Sequence, residues 1–179
     1  DVKVPKENLI GEVNKGWTYA KYLLEFERGN PYSPGLYSAL DEVREMAKEV
    51  LVDGTPVADT PAFKARYADL RSQITAMEFT ELRIFSSLSI GGNVGPESSL
   101  LKCRGTELQQ EVSQLMVEVL GDYAQPTIEN GLAETNEPEV GPEGAFTAAP
   151  YYFSLRKASI YAGSNEVQRN IMAKAVLGL

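Results

Sequence analysis

The stretch from Phe63 to Leu88, FKARYADLRSQITAMEFTELRIFSSL, decides the fold. Phe63, Tyr67, Leu70, Ile74, Met77, Ile84 and Leu88 recur in steps built from four and three, the seam of a helix that meets neighbours along its whole length. Glu81 alone breaks the seam, standing where an apolar residue belongs. From about Ser98 the step repeats through Leu101, Leu108, Val112, Leu115 and Val119, and Gly121 stops it. Upstream, Ala20, Leu23, Leu24 and Glu27 share one face of a helix that starts near Trp17. Leu36, Leu40, Val43, Met46 and Val50 continue the helical pattern. Pro31 and Pro34 fall between these runs, where proline removes hydrogen bonds and clashes with the preceding turn, so a kink or break is expected. A helix over about 149–161 and a short final helix complete an all-α, up-and-down four-helix-type bundle. Residues 1–9, with Pro5, read as a short extended segment, 11–16 as a turn and 52–61 as a Pro/Gly/Asp connector. No sustained strand pattern follows residue 10.

Composition narrows the chemistry. With 179 residues the chain is long enough for one sizeable core. Its formal charge of −8 offers no basic face to neutralise phosphates, which argues against a nucleic-acid partner. There is no histidine, so Ser/His and Cys/His nucleophilic sites and a His-ligated metal are excluded within it. A general base must be a carboxylate, Lys or Tyr. The single cysteine, Cys103, rules out an internal disulfide framework, fits a reducing compartment and reads as a small residue packed in a helix. No apolar run reaches the roughly 18 residues of a membrane helix, and no signal peptide is seen. The chain starts at Asp1, without Met, in what reads as the tail of a strand, so a piece of a larger protein is expected. Residues 127–145 interleave Glu129, Glu134, Glu137, Glu139 and Glu143 with Pro138 and Pro142, the composition of a mobile solvated loop rather than a metal site.

Two carboxylates stand out. Positions 23, 24, 30 and 31, the helical neighbours of Glu27, hold no cation, whereas Glu25 can pair with Arg28. A carboxylate on a partly apolar face without a local cation should have a raised pKa, which suits a general base. A boundary glutamate satisfied by another helix is the structural alternative. Glu81, flanked by Met77, Glu78, Ile84 and Phe85, competes on the same logic. Its structural alternative is an ion pair with a basic residue of a facing helix. The residues alone leave both assignments open.

Near the C-terminus the run Ile160-Tyr161-Ala162-Gly163-Ser164-Asn165-Glu166-Val167-Gln168-Arg169-Asn170-Ile171 leads from a Gly-Ser turn into an amphipathic helix. Ser164 is a natural N-cap, and Glu166 lies in the first turn, where a carboxylate suits the helix dipole. Free backbone N–H groups at such a turn can receive the polar part of a ligand, although a plain capped corner has the same local pattern.

The full string resembles the C-terminal signature of the flavin-dependent acyl-CoA dehydrogenases, in which an aromatic, a variable residue, Gly and Thr or Ser precede a helix carrying Gln-Arg. The opening residues are similar too: Val4-Pro5-Lys6-Glu7-Asn8-Leu9-Ile10-Gly11, Gly16-Trp17 and Leu24-Glu25-Phe26-Glu27-Arg28. The resemblance implies that 1–14 are the tail of the middle β domain and its linker, and that 15–179 are the C-terminal helical bundle domain. It implies FAD as cofactor and oxidation of an acyl-CoA thioester to its 2,3-enoyl form. In that family the catalytic glutamate takes one of two positions. One lies between the aromatic and the Gly, here Ala162, which holds no proton. The other lies on the first long helix and corresponds to Glu27, followed by Arg28. The resemblance therefore implies Glu27 as base, Arg28, Tyr161, Ala162 and Gly163 on the substrate side, and Ser164, Asn165 and Glu166 toward FAD. It further implies an electron-transfer flavoprotein as redox partner and a homo- or hetero-oligomer, dimer or tetramer. Membrane insertion is not expected; the compartment would be the bacterial cytoplasm or, as second choice, the mitochondrial matrix. Without the other two domains this part alone should be inactive.

Two positions depart from the family. The Arg-x-x-Phe-Gly motif that contacts a neighbouring subunit's FAD is missing at Val52-Asp53-Gly54-Thr55-Pro56. A Gln before a Gly-Gly is replaced by Glu118 before Gly121-Asp122. Such losses fit a rival reading, a non-catalytic assembly subunit of a heteromeric dehydrogenase. An unrelated helical interaction module is the third reading, since the stripes alone would suffice for it.

Overall fold

The computed structural model describes residues 1–27, 31–92, 95–125 and 140–179, without the side chains of 25–27. Six α-helices are present among these: α1 (Gly16–Glu27), α2 (Ser33–Glu49), α3 (Pro61–Ser89), α4 (Glu97–Leu120), α5 (Ala148–Leu155) and α6 (Asn165–Met172). The bundle is built around α4, against which α2, α3, α5 and α6 all pack. Its core is the meeting of the three expected stripes. Leu40 and Val43 of α2, Leu70 and Ile74 of α3, and Leu108 and Val112 of α4 are almost wholly shielded from water. Each such side chain contributes on the order of 1.5–3 kcal/mol by burial.

The proline region resolves as a break. Pro34 falls in the first turn of α2, where a missing N–H leaves no hydrogen bond unmade. The helix that follows has no N-cap side chain of its own, because Tyr32 at that position supplies none. Glu81 supplies the cap from α3. One carboxylate oxygen accepts from the backbone N–H of Tyr32 at 2.7 Å and of Ser33 at 3.2 Å, and the other accepts from the Ser33 hydroxyl. Among the described residues the partner is therefore not a cation: Glu81 is buried, and its carboxylate meets the N-terminal dipole and donors of α2.

Other departures are local. Residues 1–9 form a 3-10 turn at Lys6–Asn8 instead of a strand tail and lie exposed. The connector contains a small antiparallel hairpin, β1 (Leu51–Val52) and β2 (Thr55–Pro56), pairing Leu51 with Pro56 and Val52 with Thr55. Asp53 at φ 50° and Gly54 at φ 77° give it the twist of a type I′ turn. The fourth helix is shorter than expected, continuing as a 3-10 turn at Arg156–Ser159. Arg156 ties this segment to α4, stacking 4.1 Å over the Tyr152 ring and donating at 3.0 Å to the Gln110 carbonyl and the Ser113 hydroxyl. Of the acidic stretch, Glu129, Glu134, Glu137, Pro138 and Glu139 lie outside the described residues. Its end is docked rather than loose, since Pro142 and Ala145 are buried. Among the described residues no helix is long and apolar enough to cross a membrane, and no cluster of metal-ligating side chains occurs.

Candidate active site

Helix α4 carries a second seam beside its apolar one. Ser98, Lys102, Gly105 and Gln109 follow each other at steps of four, three and four and so share a face. Ser98, Lys102 and Gln109 line a cavity of about 810 Å³. Leu24 of α1 and Tyr32 and Gly35 at the start of α2 form the facing wall. Tyr161, Ala162 and Gly163 close one end, with Val167 of α6 beside them. Gly105 lets the two walls approach: a β-carbon there would fall 2.5 Å from Cγ of the Tyr32 ring. Burial, reinforced by the fields of Tyr161, Cys103 and Glu81, pushes the Tyr32 phenol up, so it faces neutral solution as an O–H donor.

The closing turn is strained. Ala162 adopts φ 53° and Gly163 φ 87°. For alanine the left-handed region costs roughly 1–2 kcal/mol. After the turn, Ser164 caps α6, its hydroxyl accepting from the Val167 N–H at 3.4 Å. Hydrogen bonding from its own backbone N–H, and then from Ser164, holds the Glu166 carboxyl below the usual range. Asn165 turns the other way. It is buried, with Oδ1 accepting from Lys102 Nζ at 2.9 Å and the amide meeting the Thr106 hydroxyl at 3.2 Å. Lys102 also donates to the Ala158 carbonyl at 3.1 Å. Burial lowers the pKa of this lysine, with the charges of Cys103 and Glu166 opposing. Cys103 is a buried thiol pushed up by desolvation, its Sγ 3.6 Å from the Asn165 carbonyl, as suits a packed residue.

The structure thus brings Tyr161, Ala162 and Gly163 onto one cavity and sets Ser164, Asn165 and Glu166 as the adjoining helix start. Glu27 ends α1, one turn after cavity-lining Leu24; its side chain, like all of Arg28, lies outside the described residues. Lys102, Gln109 and Tyr32 escaped the sequence reading. Gln109 Oε1 is buried and has no hydrogen-bond partner among the described residues. The missed signal was the polar 4-3-4 seam of α4, overshadowed by the apolar seam next to it.

A helical bundle that closes a ligand-sized cavity with a strained turn is the class defined by fold and site. The profile of the family "Acyl-CoA dehydrogenase, C-terminal domain" matches residues 14–177. The chain is 32% identical to acyl-CoA dehydrogenase FadE26 of Mycobacterium tuberculosis over 187 residues, covering 100% of the chain and 44% of the relative. It is 28% identical over 180 residues to the caffeyl-CoA reductase-Etf complex subunit CarC of Acetobacterium woodii, covering 99% of the chain and 43% of that protein. Among solved structures, the ChsE4-ChsE5 complex of Mycobacterium tuberculosis aligns with a TM-score of 0.76 at 30% identity, covering 98% of this chain and 44% of that one. Butyryl-CoA dehydrogenase of Megasphaera elsdenii shares the fold, with a TM-score of 0.73 at 24% identity over 99% of this chain and 43% of its own. The chain belongs to the acyl-CoA dehydrogenase family, as its C-terminal domain. It spans less than half the length of these relatives.

Proposed function

We propose that this chain is the C-terminal part of an FAD-dependent dehydrogenase that oxidises an acyl-CoA thioester to the 2,3-enoyl-CoA, with Glu27 as general base. Residues 15–179 form the helical bundle domain in this reading, and 1–14 the end of the link from a middle β domain. The observation that carries it is the cavity: its end is the Tyr161-Ala162-Gly163 turn, and its wall includes Leu24, one turn from Glu27. Ala162 offers no carboxylate there and leaves room for the acyl group. Glu27 then takes the proton from the carbon next to the thioester carbonyl, and Arg28 helps position the thioester. FAD, when bound, supplies the hydride acceptor for the neighbouring carbon. Ser164 and Glu166, at the exposed start of α6, suit its hydroxyl groups, whereas the Asn165 side chain is spent on Lys102 and Thr106 and leaves only its backbone N–H for the cofactor. Electrons pass on to an electron-transfer flavoprotein, and the working unit is a dimer or tetramer. The domain alone is inactive, since the rest of the flavin and CoA pocket belongs to the other domains.

The assembly-subunit reading has its own support. The hairpin at 51–56 replaces the loop motif that serves a neighbour's flavin, and Glu118 is an exposed acid accepting from Gln114 at 2.7 Å where an amide is usual. One experiment separates the readings. The full-length protein, held anaerobically, is mixed with a panel of acyl-CoA thioesters and flavin bleaching is followed for wild type and Glu27→Gln. Bleaching in wild type only, with FAD retained by the variant, is expected. Equal bleaching in both moves the base elsewhere; absence of FAD from both favours the assembly subunit.

A further inference from the structure

Backbone strain persists only where surrounding structure over-determines it. Ala162 at φ 53° therefore needs something to hold it. Local contacts hold the chain on either side of the turn: the Tyr161 N–H donates to the Lys157 carbonyl at 3.2 Å, Ser164 caps the outgoing helix, and Gln168 packs under Gly163, where an added β-carbon would fall 2.7 Å from Nε2. None of these ties the two flanks to each other. The hold that bridges them comes from α4. Lys102 reaches beneath the turn and donates on both sides of it, to the Ala158 carbonyl before and to Asn165 Oδ1 after, at 3.1 Å and 2.9 Å. Asn165 is fixed in turn by the Thr106 hydroxyl at 3.2 Å, and α6 by the 2.6 Å ion pair of Arg169 with Glu107.

A buried lysine is an expensive way to fill space. Lys102 is only 8% exposed, and among the described residues its hydrogen-bond acceptors are neutral. An apolar side chain would pack there without desolvating a charge, so the ammonium contributes geometry rather than cohesion. We infer that Lys102 is a positioning residue that locks the Tyr161–Gly163 turn in its left-handed conformation facing the cavity. It acts through the turn and not on the substrate. The consequence for substrate binding rests on the dehydrogenase reading above; the lock itself does not.

The test uses the full-length protein with Lys102→Met, Ala162→Gly and the double variant. Glycine adopts φ > 0 without a β-carbon penalty, so it should keep the turn shaped when the lock is gone. In Lys102→Met, amides 160–167 are expected to exchange at least tenfold faster with deuterium, while those of α2 and α3 stay as in wild type. KM for the best acyl-CoA should rise about tenfold with a smaller fall in kcat, and Ala162→Gly should recover most of both effects in the double variant. Unchanged exchange in Lys102→Met, or a double variant no better than the single one, overturns the inference. If wild type reduces flavin with no acyl-CoA, the dehydrogenase reading fails and the exchange arm still decides the lock. If Lys102→Met does not fold, Lys102→Gln takes its place, alone and with Ala162→Gly: faster exchange at 160–167 that the glycine slows supports the lock, and exchange as in wild type overturns it.

Discussion

Glu81 takes hydrogen bonds from two consecutive residues at the start of α2, and among the described residues no other side chain caps that helix. Glu81→Leu leaves those donors buried and unpaired and is expected to cost about 3 kcal/mol; Glu81→Gln, which keeps one acceptor, should cost less. Urea denaturation of the two variants measures both. The break in the α3 stripe was legible in the sequence as an anomaly. Its meaning was not, because the partner lies 48 residues away and is a helix end rather than a cation. Lys102 carries a second prediction. Its folded pKa is lowered, so between that value and the ordinary lysine value the unfolded chain binds more protons and stability rises with pH. Wild type should therefore gain stability relative to Lys102→Met as alkaline pH approaches the ordinary lysine range. The lock should survive the titration, since a neutral amine still carries two N–H donors for its two acceptors.

At the level of elements, the 4-3 stripes of α2, α3 and α4 were readable because each of these helices buries one face along most of its length. Length and period together leave little room for another fold. The shorter pieces were not readable. Two-residue strands show no alternation, so β1 and β2 depended on the Asp-Gly turn alone. The candidate site was legible only in part: the turn and cap of Tyr161–Glu166 could be read locally, but their pattern is also that of a plain capped corner and only the family resemblance singled them out, while the α4 wall hid as a polar seam on a core helix. That wall makes a prediction of its own. Gly105→Ala drives a methyl group into the Tyr32 ring and should displace it from α4. A loss of about 1–3 kcal/mol is expected, read by thermal melts, and on the proposed function weaker acyl-CoA binding in the full-length protein, read by titration of the flavin spectrum.

For the whole molecule, α1 is the outlier. Trp17 and Leu23 are 72% and 58% exposed, a density of exposed aromatic and aliphatic surface that isolated domains avoid. The 179-residue chain by itself should bind a hydrophobic dye and self-associate with concentration, and Trp17→Ser with Leu23→Ser should reduce both. The Glu81 cap also has a kinetic meaning. A contact spanning 48 positions exists only after the intervening loop has closed, so α2 cannot settle its first turn by local propensity. The start of α2, and with it the placement of Tyr32 over α4, becomes a late event in assembly. The cavity wall is then finished only once α3 has docked, which makes completion of the ligand site a report on the order in which the chain closes its loops.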